Sequence, residues 1–280
     1  MKLPRSDARF PPRLKAIFDP PPVLHLRGSA EPELLARRSV AVVGARSCSP
    51  YGAQVARMLG RELAAAGLVV VSGLARGVDG EAHRGALAGG GPTVGVLGCG
   101  IDRDYPAVNA SLSRRMEDGG LVISEYEAGV EPAPWRFPAR NRIIAGLCEA
   151  VVVVEARERS GALITADFAL DEGREVFAVP GEITSSLSAG SNSLLKLGAT
   201  PLTCTGDVLD ALGIERSAAP DPEVSEAAQR VLAAVRNAPC APDELIARAS
   251  LDAGALGVAL TELELAGLVA AADGVYRAVS

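Results

Sequence analysis

From Ser39 onward the chain alternates short, continuous aliphatic runs with longer stretches in which apolar residues recur every three or four positions. The runs fall at residues 39–43, 68–72, 93–97, 121–124, 150–155 and 175–179. They are Val-rich and apolar at successive positions, as parallel strands covered on both faces must be. Between them, residues 52–66 and 162–171 carry helical spacing, and Gly67 and Gly173 sit where helices commonly end. The pattern predicts an α/β domain of extended Rossmann-like type, with a doubly wound, mostly parallel sheet, over residues 23–213.

The flanks read differently. Residues 1–22 are basic and Pro-rich and predict a loose arm. It leads to an edge strand at Val23-Leu24-His25-Leu26, with His25 on the outward face between two leucines. Residues 214–222 have linker composition. Residues 223–280 give three amphipathic helical patterns and a hairpin, 268–271 with 275–279, around Asp273-Gly274, a small C-terminal winged-helix outline. Its third helix, 253–266, offers Thr261, Glu262 and Glu264 but no Lys or Arg, which favours a protein contact or regulatory role over DNA reading.

Composition narrows the classes. Hydrophobic residues at 48% and a mean hydropathy of +0.21 exclude disorder, and no apolar run approaches the roughly 18 residues of a membrane span. The N-terminus lacks the apolar core of a signal peptide, so a cytoplasmic protein is expected. Five scattered cysteines without a Cys-x-x-Cys pair, and two distant histidines, His25 and His83, argue against disulfides and a metal site. The net charge of −6 is divided as +5 over residues 1–46, −7 over 47–215 and −4 over 216–280, so a polyanion has to be met by a local site.

That site is expected beyond the carboxyl ends of the strands. The turns there are Gly44-Ala45-Arg46-Ser47, Ser72-Gly73-Leu74-Ala75-Arg76-Gly77, Gly98-Cys99-Gly100, Ser124-Glu125-Tyr126 and Ser160-Gly161. Glycines let backbone amides approach a ligand, and helix N-termini favour phosphate. None of the turns is a dinucleotide fingerprint or a P-loop, so neither NAD chemistry nor ATP hydrolysis is supported and no cofactor is expected. One further stretch, Trp135-Arg136-Phe137-Pro138-Ala139-Arg140-Asn141-Arg142, combines forked cations with flat rings on which bases could stack. Its structural reading is a solvated basic face with Phe137 and Ile143-Ile144 in the core. Asp79 and His83, four apart, admit acid–base chemistry, but fixing the Arg76–Gly77 turn and hydrogen bonding inside the domain are the commoner tasks. Glu125 and Glu155 similarly read as catalytic carboxylates or as anchors for neighbouring arginines.

Taken together these motifs resemble the DNA-processing protein A (DprA, or Smf) family from about Leu24 onward. The carriers are Val43-Gly44-Ala45-Arg46, Ser72 through Asp79 with Ala82-His83, Val96 through Asp102 leading to Tyr105-Pro106 and Asn109, Phe137 through Gly146, Ser160 through Ala166, and Val179-Pro180-Gly181. The resemblance implies a cytoplasmic single-stranded-DNA-binding protein of natural transformation that protects incoming DNA and loads the RecA recombinase. It implies a DNA pocket lined by Arg46, Phe137, Arg140, Asn141, Ser160, Gly161 and Thr165. Ser47, Gly73, Arg76, Gly98, Gly100 and Arg136 join them from the turns and the basic stretch. It further implies a homodimer face around Leu194, Leu195 and Pro201, and no enzymatic turnover. Where many members carry basic residues this chain has Ala107 and Pro134, with Arg103 and Arg136 as the neighbouring cations. The helical domain preceding the Rossmann unit in many members is expected to be missing or reduced to residues 1–22. The alternative is a nucleotide phosphoribohydrolase-like enzyme on a related fold, and a third reading is a winged-helix transcription factor with a ligand-sensing domain.

Overall fold

The aliphatic runs pair side by side in the computed structural model, which describes residues 1–214, 224–272 and 274–278. The chain opens with β1 (Lys2–Pro4), the single turn α1 (Pro12–Lys15) and β2 (Val23–Arg27). The wound part follows as β3 (Ser39–Val43), α2 (Pro50–Ala65), β4 (Val69–Ser72), α3 (Val78–Ala88), β5 (Thr93–Leu97), α4 (Ala110–Glu117) and β6 (Leu121–Ser124). Then come α5 (Arg136–Leu147), β7 (Ala150–Val153), α6 (Gly161–Asp171), β8 (Glu175–Ala178), α7 (Ala189–Lys196), β9 (Thr200–Pro201) and α8 (Thr205–Ala211).

Among the described residues these strands form one sheet in the order β1-β2-β6-β5-β4-β3-β7-β8-β9. Strands β3 to β9 run parallel, while β2 pairs antiparallel with β6 and β1 with β2. Successive residues of a strand serve opposite faces: Ala41 and Val43 belong to one buried cluster, Val40 and Val42 to the other. This two-sided burial is why the runs show no polar alternation. Leaving β3, the chain steps outward to β6 and then returns to place β7 on the other side of β3. The connections after β3 and β7 therefore diverge and leave a cleft at that switch point.

Two expectations about the first residues need correction. Residues 1–22 are not a loose arm: β1 pairs with β2, and Leu3, Phe10, Leu14 and Ile17 are buried in the cluster that also holds Ile143 and Ile144 of α5. Nor is β2 an edge, because β1 and β6 flank it. His25 is accordingly buried rather than outward, and burial, with Lys2 nearby, lowers its pKa.

The contacts divide the chain into two compact units, Met1–Ser217 and Ala218–Ser280. The second contains α9 (Glu226–Asn237), α10 (Pro242–Ala249), α11 (Ala253–Leu265) and the antiparallel hairpin β10 (Val269–Ala272) with β11 (Val275–Ala278), a winged-helix arrangement. Val231, Leu232, Val235, Leu245, Leu256, Leu260 and Leu263 fill its own core. Ser225 and Asp252 cap α9 and α11 by accepting from the amides of Ala228 and Ala255 at 3.2 and 2.8 Å. The expected linker beyond residue 214 and the hairpin residue Asp273 lie outside the described residues.

Candidate functional site

The turn after β3 is pinned from two sides. The Ala45 amide donates to the Glu155 carbonyl at 2.7 Å, and the Ala45 carbonyl accepts from the Val78 amide at 3.2 Å. Gly77 makes the second contact feasible: its φ is 72°, and a Cβ there would run into the Ala45 carbonyl. Held this way, the turn leaves Arg46 and Ser47 exposed. Opposite, α6 starts at Ser160, whose hydroxyl accepts from the Ala162 amide at 3.3 Å. Gly161 has no heavy atom within 4 Å of its Cβ position, so the first turn of this 11-residue helix is open to the cleft. The Gly161 amide and the helix dipole give that end partial positive charge.

Two cavities open here. One, of about 360 Å³, lies between the β3 turn and α6 and is lined by Arg46, Phe137, Asn141, Ser160, Gly161 and Thr165, among others. The other, of about 350 Å³, is lined by Gly73, Arg76, Gly98, Tyr105 and Pro106. Arg46, Ala75, Phe137 and Arg140 border both, so Phe137 is the partition between them. Its ring stacks on Tyr105, with centroids 5.2 Å apart and planes inclined by 23°, and the Arg46 guanidinium carbon stands 5.4 Å from its centroid. Gly98 lets the ring settle: a Cβ there would stand 2.8 Å from Phe137 Cδ1. Among the described residues neither Arg46 nor Arg76 has a carboxylate within 4.0 Å, and both are exposed. Their charge therefore faces the cleft uncompensated.

The four arginines of the basic stretch and the β3 turn divide by surroundings. Arg140 is only 4% exposed and donates to the carbonyls of Gly73, at 3.0 Å, and Val96, and to Asn141 Oδ1 at 3.2 Å. Burial brings its pKa down to about 10, still cationic at neutral pH, and Asp79 opposes the fall. Arg140 thus spends Nη1 on backbone carbonyls and Nε on Asn141, and it borders both cavities as their buried charge. Arg136 is also not free. It stacks between the rings of Tyr126 and Trp135, at 5.0 and 4.9 Å, donates to the Glu131 carbonyl and lines neither cavity. Arg142 is held by Glu125, at 2.7 and 2.9 Å, and by Asp19 at 2.9 Å. Arg46 remains accessible. Asn141 Nδ2 donates to the Gly161 carbonyl at 2.9 Å, and Thr165 Oγ1 reaches the same oxygen at 3.5 Å, so both set the first peptide of α6.

The acidic and imidazole groups are structural in this geometry. Asp79 Oδ2 accepts from the amides of Gly73 and Ala75 at 3.1 and 3.4 Å, fixing the β4 turn; burial raises its pKa, against the pull of Arg140 and these amides. His83 is fully buried with Nδ1 2.7 Å from Thr93 Oγ1, which itself donates to the Val70 carbonyl at 2.6 Å. Thr93 must then accept from Nδ1–H, leaving Nε2 unprotonated, and burial lowers the His83 pKa to about 3. Glu155 accepts from the amide and hydroxyl of Ser49, the cap of α2, at 2.9 and 2.5 Å. It anchors a helix start, not an arginine.

Three further assignments shift. Gly100 is buried under residues 127–130, where its amide donates to the Val130 carbonyl at 2.8 Å, and it lines neither cavity; Ser47 is exposed just outside them. Leu194 is 5% exposed and belongs to its own core cluster, Leu195 packs partly against it, and Pro201 is exposed on β9 at the end of the sheet. Tyr105 was present in the sequence as part of a motif, but nothing local to it signals that it backs Phe137 across 32 residues of chain. No group of His, Cys, Asp and Glu with metal-site geometry occurs among the described residues.

These features define an extended Rossmann-like protein with an electropositive, aromatic-partitioned cleft at its topological switch point, followed by a winged-helix unit. The chain belongs to the DNA recombination-mediator protein A family: that family's profile matches residues 2–213, and the DprA winged helix domain profile matches residues 215–274. It is 46% identical over 203 residues to the DNA processing protein DprA of Streptococcus pneumoniae, covering 72% of this chain and 71% of that protein. It is 39% identical to protein Smf of Escherichia coli, over 98% of this chain and 76% of its relative. Among solved structures, DprA from Streptococcus pneumoniae superimposes with a TM-score of 0.72 at 45% identity, covering 75% of this chain and 73% of that one. The Helicobacter pylori protein, solved to describe its single-stranded DNA binding mode, gives 0.66 at 33% identity, over 72% of this chain and 92% of its own.

Proposed function

We propose that this chain is a DNA-processing protein that binds single-stranded DNA in the paired cavities and delivers it to a RecA-type recombinase during natural transformation. The observation that carries the reading is the partition itself: a phenyl ring, backed by Tyr105, with an accessible arginine on one side and an open helix N-terminus across the cleft. A base stacks on such a ring, and a phosphate is met by Arg46, Arg76 and the Gly161 amide at the start of α6. Gly73, Gly98, Asn141 and Thr165 shape this surface, with Arg140 as its buried charge. The relative from Helicobacter pylori, studied for its single-stranded DNA binding mode, supports the same ligand.

The reading assigns no catalytic turnover. The carboxylates a phosphoribohydrolase-like reaction would draw on, Glu125 and Glu155, are occupied by Arg142 and Ser49 and line neither cavity. It places the protein in the cytoplasm, and among the described residues no helix is long and apolar enough to cross a membrane. It takes the protein as a homodimer through the β9 end of the sheet, around Pro201 and Leu195, with the exposed Leu197 in place of the buried Leu194 as the apolar contact. Two pockets on one strand then gain affinity by linkage. Gel shift of wild type and Phe137→Ala with single- and double-stranded DNA tests the class. Preference for single strands in the wild type, lost in the variant, is expected; equal binding of both forms, indifferent to the substitution, defeats the reading.

A further inference from the structure

The cavities use Phe137 and leave the other ring of the basic stretch unaccounted for. Trp135 immediately precedes α5, is 62% exposed and lines neither cavity. It nevertheless has a charged neighbour. The Arg136 guanidinium carbon lies 4.9 Å from the centroid of its ring and 5.0 Å from that of Tyr126, so one cation contacts both rings. Arg136 is tied down in turn by donating to the Glu131 carbonyl, and no carboxylate lies within 4.0 Å of it among the described residues. An indole with one face on a guanidinium and most of its surface in water is not core. Leaving such a large apolar ring exposed has a cost that a ligand would recover.

We propose that Trp135 is a second base-stacking position, outside the cavities, which takes a nucleobase of the same strand that places another base at Phe137. This inference rests on the single-stranded-DNA reading given above. Three observations point to a nucleic-acid base as the occupant. The free surface is a flat π-face, which any base can cover without sequence preference. The layer behind it carries an uncompensated positive charge, suited to the phosphate that accompanies each base. The two rings stand two residues apart at one helix start, on different sides of the helix axis, since successive residues turn by about 100°. A strand crossing that end of α5 would thus meet the rings in turn.

Trp135 is the only tryptophan in the chain, so its emission reports on this position alone. The experiment titrates the full chain with oligothymidylates of about 4 to about 16 nucleotides, the span of common single-strand sites. Indole emission and the anisotropy of a labelled oligonucleotide are followed together. The expected result is quenching that tracks anisotropy for the longer oligomers and fades for the shortest. Trp135→Ala should weaken the longer oligomers by about 10-fold, with Trp135→Phe recovering most of the loss, and leave the shortest unchanged. Anisotropy that saturates while emission and the Trp135→Ala affinity stay unaltered overturns this inference and leaves the DNA-binding reading intact. No anisotropy change at any length overturns both. The exposed position makes misfolding of the variant easy to check by its unfolding temperature, expected to match wild type.

Discussion

Arg46 and Arg140 stand at the same cleft but do different work, and replacing each by alanine separates the two roles. Arg140→Ala removes a buried guanidinium from the carbonyls of Gly73 and Val96 and from Asn141 Oδ1. It also takes away the cation that favours ionised Asp79, whose carboxylate holds the Gly73 and Ala75 amides. An acceptor left buried without its donor costs about 1–3 kcal/mol. Three acceptors are affected and Asp79 loses a favourable charge beyond ion-pair distance, while release of the arginine's own desolvation cost returns part of the total. A net loss of about 3–5 kcal/mol is expected, which in a unit of this size lowers the melting temperature by roughly 6–20 °C. Arg46 is exposed with no carboxylate partner among the described residues, so Arg46→Ala should unfold within about 0.5 kcal/mol of wild type. Urea unfolding of both variants, followed by far-UV circular dichroism, measures the difference. An Arg140→Ala protein as stable as wild type, or a destabilised Arg46→Ala, would refute the division of labour.

Other consequences follow from the same geometry. His83 has a folded pKa of about 3 against 6.5 for an unperturbed imidazole, so the folded state binds fewer protons. Its contribution to stability is complete above pH 6.5 and is lost as pH falls toward 3, at up to about 1.4 kcal/mol per pH unit. Thermal unfolding between pH 7 and 4.5 should show this slope in wild type and a shallower one in His83→Leu; identical slopes would contradict the buried neutral imidazole. Gly98→Ala places a methyl group 2.8 Å from Phe137 Cδ1 and should displace the ring, weakening oligonucleotide binding in an anisotropy titration while costing at most about 1–3 kcal/mol of stability. A fragment of residues 1–214 keeps both cavities and should bind single strands as the full chain does, whereas loss of binding would place the winged-helix unit in the primary site.

The strands were legible because burial on both faces writes itself as unbroken Val-rich runs: β3, β5 and β6 fall where the sequence places them, and β4, β7 and β8 differ only at an end. The neighbourhood of Arg46, Phe137 and Ser160 followed from glycine turns beyond the carboxyl ends of the strands, whereas the strand order that makes it a switch point is set by long-range pairing. The first 22 residues were not legible, since Leu3, Phe10, Leu14 and Ile17 follow neither a helical nor a strand period and sit among prolines. The burial of Arg140 was not legible for a related reason: it is decided by the carbonyls of Gly73, in the turn after β4, and Val96, on β5, which no local pattern around residue 140 encodes. Arg136 likewise needed Tyr126, from the preceding connection, to be seen as a stacked rather than a free cation.

The claim that the cleft is a phosphate- and base-binding site is tested most directly by the salt dependence of single-strand affinity in wild type and Arg46→Ala. Each phosphate neutralised on a single strand contributes a slope of about −0.7 to log K against log salt. Affinity should fall with salt in the wild type, and Arg46→Ala should bind more weakly with a slope shallower by about 0.7. Affinity independent of salt, or an Arg46→Ala protein with the wild-type slope and affinity, would contradict the account.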